Sequence, residues 1–506
     1  MILGLEQITS FMLTLGLVHD HVSQITKSAE CNGNYTEELL NALFPNNVYL
    51  PATPEYAESI STYFGSRARL NASVIFVPDV AEQVSTGVKI MEFFDQQFAV
   101  RGGGQTSHPG MAGIEDDILF SLERMNELTL TPSKDRASIG PGNLWGRVFE
   151  TLESSGVAVT GGTLAPVGVP GLLTGNGFSN FLSSRGFSTG DVVNFQVVLG
   201  GGRIVNANPA ENPDLWWALK GGSNNFGIVT RFDMNTFPLP GGIWSGTLAY
   251  NSSQVETVAE AFYEIQTGAL VESPHLDVQF MQMVIPGIGL TTTELVPFTD
   301  HVNFTGPYPS SLKPLFDIGP SDVSSARKTL TKSSTEAVTP EFIEVTNKRI
   351  NRANINIKAH KRLYKEISTM LSAHYGSSTL EDHSVSLSWN PVTAHAVRES
   401  NRKGGNAGGW QEVNQVSLNL RVNWANAADD MAALKMDEEF MAKLDVAARK
   451  WDSLMPNQWA NNAAANVDVM GSYGETNLEK LRAVSRKYDE AQIFQTLCRG
   501  GYKLWN

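Results

Sequence analysis

Phe98-Ala99-Val100-Arg101-Gly102-Gly103-Gly104-Gln105-Thr106-Ser107-His108-Pro109-Gly110 is an apolar run ending in a cation, followed by three glycines and two small hydroxyl residues. The apolar part reads as a short buried strand. Glycine has no Cβ, so successive backbone N–H groups can converge into a concave nest that holds an anion. Thr106 and Ser107 add hydroxyl donors. A glycine run after a strand is most often only a tight turn, so its meaning is decided by its neighbours.

Upstream, residues 74–77 (Val-Ile-Phe-Val) form a second short strand pattern. Pro78-Asp79 then opens a helix with Val80, Val84, Val88 and Met91 on one face. The order strand, helix, strand places the glycine loop at a strand's carboxyl end, where α/β proteins commonly bind ligands. Downstream, residues 118–130 contain a strand and residues 143–154 have helical spacing. A second glycine-rich block runs Thr160-Gly161-Gly162 and Pro170-Gly171-Leu172-Leu173-Thr174-Gly175-Asn176-Gly177. Such a block suits a large flat ligand lying against main chain. Residues 192–199 and 203–205 read as a hairpin across Gly200-Gly201-Gly202, and residues 228–232 as a strand. After Pro238 to Gly242 the pattern changes. Strands at 243–250, 276–285 and 413–424 alternate with helices near 254–267 and 341–375, which predicts an antiparallel sheet covered by helices on one face. A helix over 429–452 returns the chain toward its first half.

The chain of 506 residues is long enough for more than one core. Its 42% hydrophobic and 18% charged content is that of an ordinary globular protein. A net charge of −14 excludes a nucleic-acid partner, whose phosphates it repels. No run approaches the roughly 18 apolar residues of a membrane span. Residues 11–18 are apolar enough for a signal-peptide core, yet Glu6 precedes them in place of a cation and no small-residue cleavage site follows. Four sequons, at Asn34, Asn71, Asn251 and Asn303, point toward a secretory route. Cys31 and Cys498 stand at opposite ends of the chain and build neither a disulfide framework nor a metal site.

Taken in order, Val100–Gly104, Gly140-Pro141-Gly142, Gly171–Gly177, Asp191-Val192-Val193-Asn194-Phe195, Asn212–Gly222, Asn224–Thr230 and the C-terminal Ile493-Phe494-Gln495 and Gly500-Gly501-Tyr502 carry a resemblance. The chain resembles the flavoproteins of the vanillyl-alcohol oxidase and p-cresol methylhydroxylase superfamily, in particular their berberine-bridge-like branch. The resemblance implies an α+β fold: an FAD-binding domain in two parts plus a substrate domain with an antiparallel sheet covered by helices. The implied boundaries are an N-terminal segment 1–70, an FAD-binding domain 71–240, a substrate domain 241–440 and a C-terminal segment 441–506 that completes the FAD domain. It also implies an FAD diphosphate on Arg101, Gly102, Gly103, Gly104, Gln105, Thr106 and Ser107. The ring and ribityl chain would run along Gly162, Gly171, Gly175, Asn176 and Gly177, with Ile228 and Val229 alongside.

The chain departs from the family pattern in three places. Most relatives follow the three glycines with a histidine bonded to the flavin 8α carbon; here Gln105 stands there, and an amide nitrogen is not a usable nucleophile. Doubly tethered relatives carry a cysteine before the Asp-Val-Val segment, a place assigned here to Thr189. FAD is therefore expected to be held without a covalent bond. A Tyr-x-Asn-Tyr segment that supplies a phenolic base in relatives becomes Trp459-Ala460-Asn461-Asn462, and an amide is no general base near neutral pH.

The strand at 413–424 alternates Gln415, Ser417, Asn419, Arg421 and Asn423 against Val416, Leu418, Leu420 and Val422. The polar face is expected to line the cavity over the flavin, the alternative being a solvated outer face. Its amides and Arg421 would bind carbonyl or enolate oxygens. Asn461, Gln415, Asn419, Arg421 and Tyr473 are thus the candidate catalytic residues, with plain packing the alternative for Tyr473. Asp277, Gln279, Met281 and Met283 share a strand face, but methionine pairs are usually core. His108 reads as a polar loop residue, and the remaining histidines show no metal-ligand spacing.

These residues predict an FAD-dependent oxidoreductase of oxidase type, reoxidised by O₂, acting on a small natural-product intermediate. The lost tethers and phenolic base keep a second reading open, a flavin-containing cyclase or isomerase without net redox change. A flavin-binding protein without catalysis is the third.

Overall fold

The computed structural model describes residues 4–32, 34–338 and 347–505. Three strands too short to stand alone, Val74–Phe76, Ile118–Ser121 and Phe98–Arg101, pair in parallel, with Val48–Tyr49 antiparallel on the outer edge. Parallel pairing needs a crossover, supplied by the helix Ala81–Phe94, which buries Val84, Val88, Ile90 and Met91 against the sheet. The far end of the chain closes the other edge. The Phe98 N–H donates to the Leu497 carbonyl at 3.1 Å and the Arg499 N–H to the Phe98 carbonyl at 2.6 Å. The apolar stretch beginning at Phe11 packs on the crossover helix, Phe11 stacking on Phe93 at 3.8 Å.

A second, antiparallel sheet runs Leu128–Leu130, Arg136–Ile139, Ile228–Asn235, Val192–Val198, Ile204–Ala207, the last two strands forming the expected hairpin. Cys498 is buried as a free thiol, and the Cys31 side chain lies outside the described residues.

The second half of the chain builds one seven-stranded sheet from β1 (Ile243–Ala249), β2 (Leu276–Ile285), β3 (Gly289–Thr299), β4 (Asp322–Lys328), β5 (Arg349–Lys358), β6 (Ser384–Val392) and β7 (Gln415–Trp424). The order is β4-β1-β3-β2-β6-β7-β5, antiparallel throughout. Three helices, α1 (Val255–Thr267), α2 (Lys361–Tyr375) and α3 (Asp430–Lys450), cover one face. Leu248, Phe280, Leu295, Ile355, Leu387, Leu418 and Leu420 pack there against Phe262, Tyr364, Ile367 and Phe440.

The helix expected over 341–375 is shorter than the sequence pattern suggested. Residues 339–346 lie outside the described residues, 349–358 form β5, and the helix begins after His360, whose ring accepts the Leu363 N–H at 3.2 Å. Asn351, Asn354 and Asn356 disfavour strand by propensity. The alternating Ala353, Ile355 and Ile357, all buried under the helices, override that preference through tertiary packing, with Ile350 buried on the other face against Phe64.

Candidate active site

The two glycine blocks meet. A Cβ on Gly103 would lie 2.5 Å from the Gly168 Cα, and one on Gly102 would lie 2.3 Å from the Pro170 Cγ. Gly104 takes a left-handed φ of +65°, which turns the loop after the strand. Among the described residues, no backbone N–H from Gly103 to Ser107 donates to a protein acceptor. The Gln105 Oε1 and Ser107 Oγ are buried without a partner as well. Buried donors and acceptors left in this state are costly, so the loop is built for a polar ligand. A nest of free N–H groups and a serine hydroxyl fit a diphosphate in charge and donor type.

Above the loop lies a cavity of about 1310 Å³, larger than the roughly 300–1,000 Å³ of a single small-molecule pocket. Its floor and walls are Gly102–His108, Gly162–Leu164, Gly171, Gly175, Ile228 and Val229, with Trp459–Ala463 at one side. Its ceiling is the face of the seven-stranded sheet opposite the helices, so the polar face of β7 does line the cavity. Across the ladder, Glu294, Met281, Ser388, Asn419 and Asn354 form one row. Thr292, Met283, Ser386, Arg421 and Arg352 form the next. Met281 and Met283 face the cavity, contrary to the core placement expected of a methionine pair.

Several predicted residues lie elsewhere. Arg101 turns away from the cavity. It donates to the Ser59 carbonyl (2.7 Å), Ser121 Oγ (2.8 Å) and Glu123 Oε2 (2.8 Å), and lies over the Tyr63 ring; its guanidinium ties the N-terminal segment to the strand after it. Asn176, at φ +81°, is wedged between Gly221 and Gly408 behind the wall, and Gly177 likewise does not reach the cavity. Thr189 is buried in the turn Ser188–Asp191, away from the cavity; Thr163 and Leu164 occupy the wall instead. Gln415 sits at the start of β7, where its amide donates to the Gln411 carbonyl at 2.7 Å. The Tyr473 hydroxyl donates to the Gly221 carbonyl at 3.1 Å within the core, so packing is its role.

Asn461 lines the cavity but its amide is committed. Nδ2 donates to the Gly171 carbonyl (2.7 Å), while Oδ1 accepts the Trp459 Nε1–H (2.9 Å) and the Gly177 N–H (3.3 Å). It is a positioning residue that clasps the second glycine block. Asn419 and Arg421 remain in the ceiling as predicted.

Three residues acquire weight that the sequence did not give them. Arg352 reaches down from β5 to the Gln105 carbonyl (3.4 Å) and lies over the Phe64 ring; burial, with Arg421 beside it, lowers its pKa to about 10. His108 is buried, and burial lowers its pKa to about 4. Its Nε2 contacts the Ala463 carbonyl at 3.0 Å and must carry the proton, since a carbonyl only accepts. Asp277 lines the cavity wall, its pKa raised by burial to about 7. The alternation Ser384-Val385-Ser386-Leu387-Ser388, not read as a strand from the sequence, is the signal that would have marked β6 as a second polar ceiling strand.

Residues 72–208 match the FAD binding domain family. The chain is 31% identical over 504 residues to the FAD-dependent monooxygenase prx3 of Penicillium roqueforti, covering 96% of this chain and 97% of that one. The chain belongs to that family of FAD-linked oxidoreductases. It is also 31% identical to the FAD-dependent monooxygenase sdcF of Emericella nidulans, covering 92% of this chain and 97% of that one. Among solved structures, glucooligosaccharide oxidase from Acremonium strictum superposes with a TM-score of 0.77 over 92% of this chain and 98% of that one, at 18% identity, a likeness of fold. That protein is described with a 6-S-cysteinyl, 8α-N1-histidyl FAD. In this FAD-linked oxidoreductase of the vanillyl-alcohol oxidase superfamily, the nest that fits the diphosphate is the loop Gly103–Ser107.

Proposed function

We propose that this protein is an oxidase-type flavoenzyme that holds FAD without a covalent bond and oxidises a small natural-product intermediate bearing enol, phenol or carbonyl oxygens. The observation that carries the reading is the cavity itself: free backbone donors on its floor face a ceiling of amides, hydroxyls and guanidiniums. FAD, when bound, supplies two-electron acceptance and reoxidation by O₂. The residues of the chain do the rest. The loop Gly103–Ser107 would hold the diphosphate, and Asn461 fixes the second glycine block through the Gly171 carbonyl and the Gly177 N–H. Asn419, Ser386, Ser388 and Asn390 offer hydrogen bonds to substrate oxygens, and Arg421 and Arg352 favour negative charge developing on them. Non-covalent binding is supported by Gln105, whose amide offers no nucleophile.

The test is anaerobic mixing of the flavin-loaded protein with enolic and phenolic natural-product intermediates. Bleaching of the flavin, reversed on admitting air, is the expected result. Product formation without bleaching would replace this reading with the non-redox cyclase or isomerase.

A further inference from the structure

The cavity contains no phenolic base at Trp459–Asn462, and the candidate amides cannot accept a proton. Four carboxyls line it, those of Asp277, Glu294, Glu336 and Asp382, and of these Asp277 alone is buried. Asp277 opens β2 and pairs across the ladder with Phe298 of β3. It is 4% exposed and lines the cavity. One carboxyl oxygen, Oδ1, accepts the N–H of Val278 at 3.0 Å; among the described residues no other donor reaches the carboxyl. Among the described residues no cation pairs with it. Charged groups on the elements around it are otherwise engaged. His275 and Asp300, at the same end of the β2–β3 pair, hold each other at 2.9 Å. Arg185 of the helix Leu182–Arg185 lies over the Phe237 ring. Glu294 sits four residues back along β3, roughly 13 Å away along the strand.

A carboxyl buried without a cation gains nothing structurally from its charge, and an asparagine would pack in its place at lower cost. The group makes sense if something in the cavity presents it with a proton. We propose that Asp277 is a catalytic residue, the acceptor of a hydroxyl proton from a phenolic or enolic substrate. In this step the substrate O–H bond breaks and a new O–H bond forms on Oδ2. The electron pair stays on the substrate oxygen as phenolate or enolate, and no atom changes oxidation state. Such an anion is the electron-rich form from which two electrons are more readily withdrawn. Burial keeps Asp277 protonated below about pH 7 and ionised above it, so the acceptor is present in the neutral to alkaline range. The proposal rests on the oxidoreductase reading above and adds the substrate's chemical class.

The experiment is calorimetric titration of the purified protein with phenol, which stays neutral from pH 5.5 to 8.5, and with benzene as the hydroxyl-free control. Flavin absorbance is read in parallel. Phenol affinity is expected to rise about tenfold as pH passes through 7, because a hydrogen bond to a carboxylate is about twice as strong as one to a neutral acid. Benzene affinity should stay level. D277N should abolish the rise, and E294Q, at the other carboxyl in the ceiling, should keep it. A phenol profile as flat as that of benzene in the unaltered protein would overturn the proposal without any variant. So would a rise that survives in D277N or disappears in E294Q. Protein that takes up no FAD contradicts the preceding reading, while the phenol profile still decides Asp277.

Discussion

Gly171→Ala separates cofactor binding from folding. Gly171 lies in the short helix Val169–Thr174 and lines the cavity, and a Cβ built on it meets no protein atom within 4 Å. For the protein alone the substitution is favourable: alanine in a helix is better than glycine by about 0.5–1 kcal/mol. The methyl group instead projects into space assigned to the flavin. Placing an extra carbon against a fitted ligand costs about 1–3 kcal/mol, which converts to a roughly 5- to 150-fold loss of FAD affinity. The prediction is therefore two-sided. Chemical denaturation of the apoprotein should show equal or higher stability, and fluorescence titration with FAD should show weaker binding. An unchanged FAD affinity would remove the flavin from this stretch. A large fall in apoprotein stability would mean that the position is packed in a way the geometry denies. Gly103→Ala should behave in the opposite manner, because its Cβ would drive into the Gly168 backbone and unfold the cradle outright.

Removing the Arg101 guanidinium as R101M should cost about 1.5–3 kcal/mol in urea denaturation, through the buried bonds to Ser59, Ser121 and Glu123; a phosphate-contacting arginine would instead lose FAD with little loss of stability. Y473F should lose about 1 kcal/mol with its bond to Gly221 and leave turnover intact, whereas a collapse of turnover would restore Tyr473 to the chemistry. D277N should show a pH-dependent gain in apoprotein stability. The folded Asp277 holds its proton to about pH 7 and the unfolded chain releases it near 3.8, so this group's contribution falls as pH rises between those values. The variant should match the unaltered protein near pH 4 and exceed it by on the order of 4 kcal/mol, as an upper limit, at pH 8; equal pH dependence would contradict a buried, uncompensated carboxyl.

The cofactor loop was readable in the sequence because its chemistry is main-chain chemistry. Glycines in Gly102–Gly104 and Gly171–Gly175 declare their function by lacking a side chain, and both blocks do line the cavity. The polar face of β7 was readable for a similar reason, since strict alternation survives whatever covers it. Side chains within the same stretches were not readable. Arg101, Tyr473 and Asn176 carry suitable chemical groups in suitable motifs, but their orientation depends on Ser59, Gly221 and Gly408, far away in the chain. β5 was hidden behind asparagines that only tertiary burial turns into strand. Asp277 was visible as a residue and not as an acid, because its pKa is a property of burial.

Acid precipitation of the purified, flavin-loaded protein measures directly whether a backbone cradle alone retains the cofactor. A yellow supernatant over a white pellet is predicted, from a nest of free N–H groups and a glutamine at the loop's end. A yellow pellet would show a covalent tether, and protein that stays colourless after incubation with FAD would show that the two glycine stretches meet around something else.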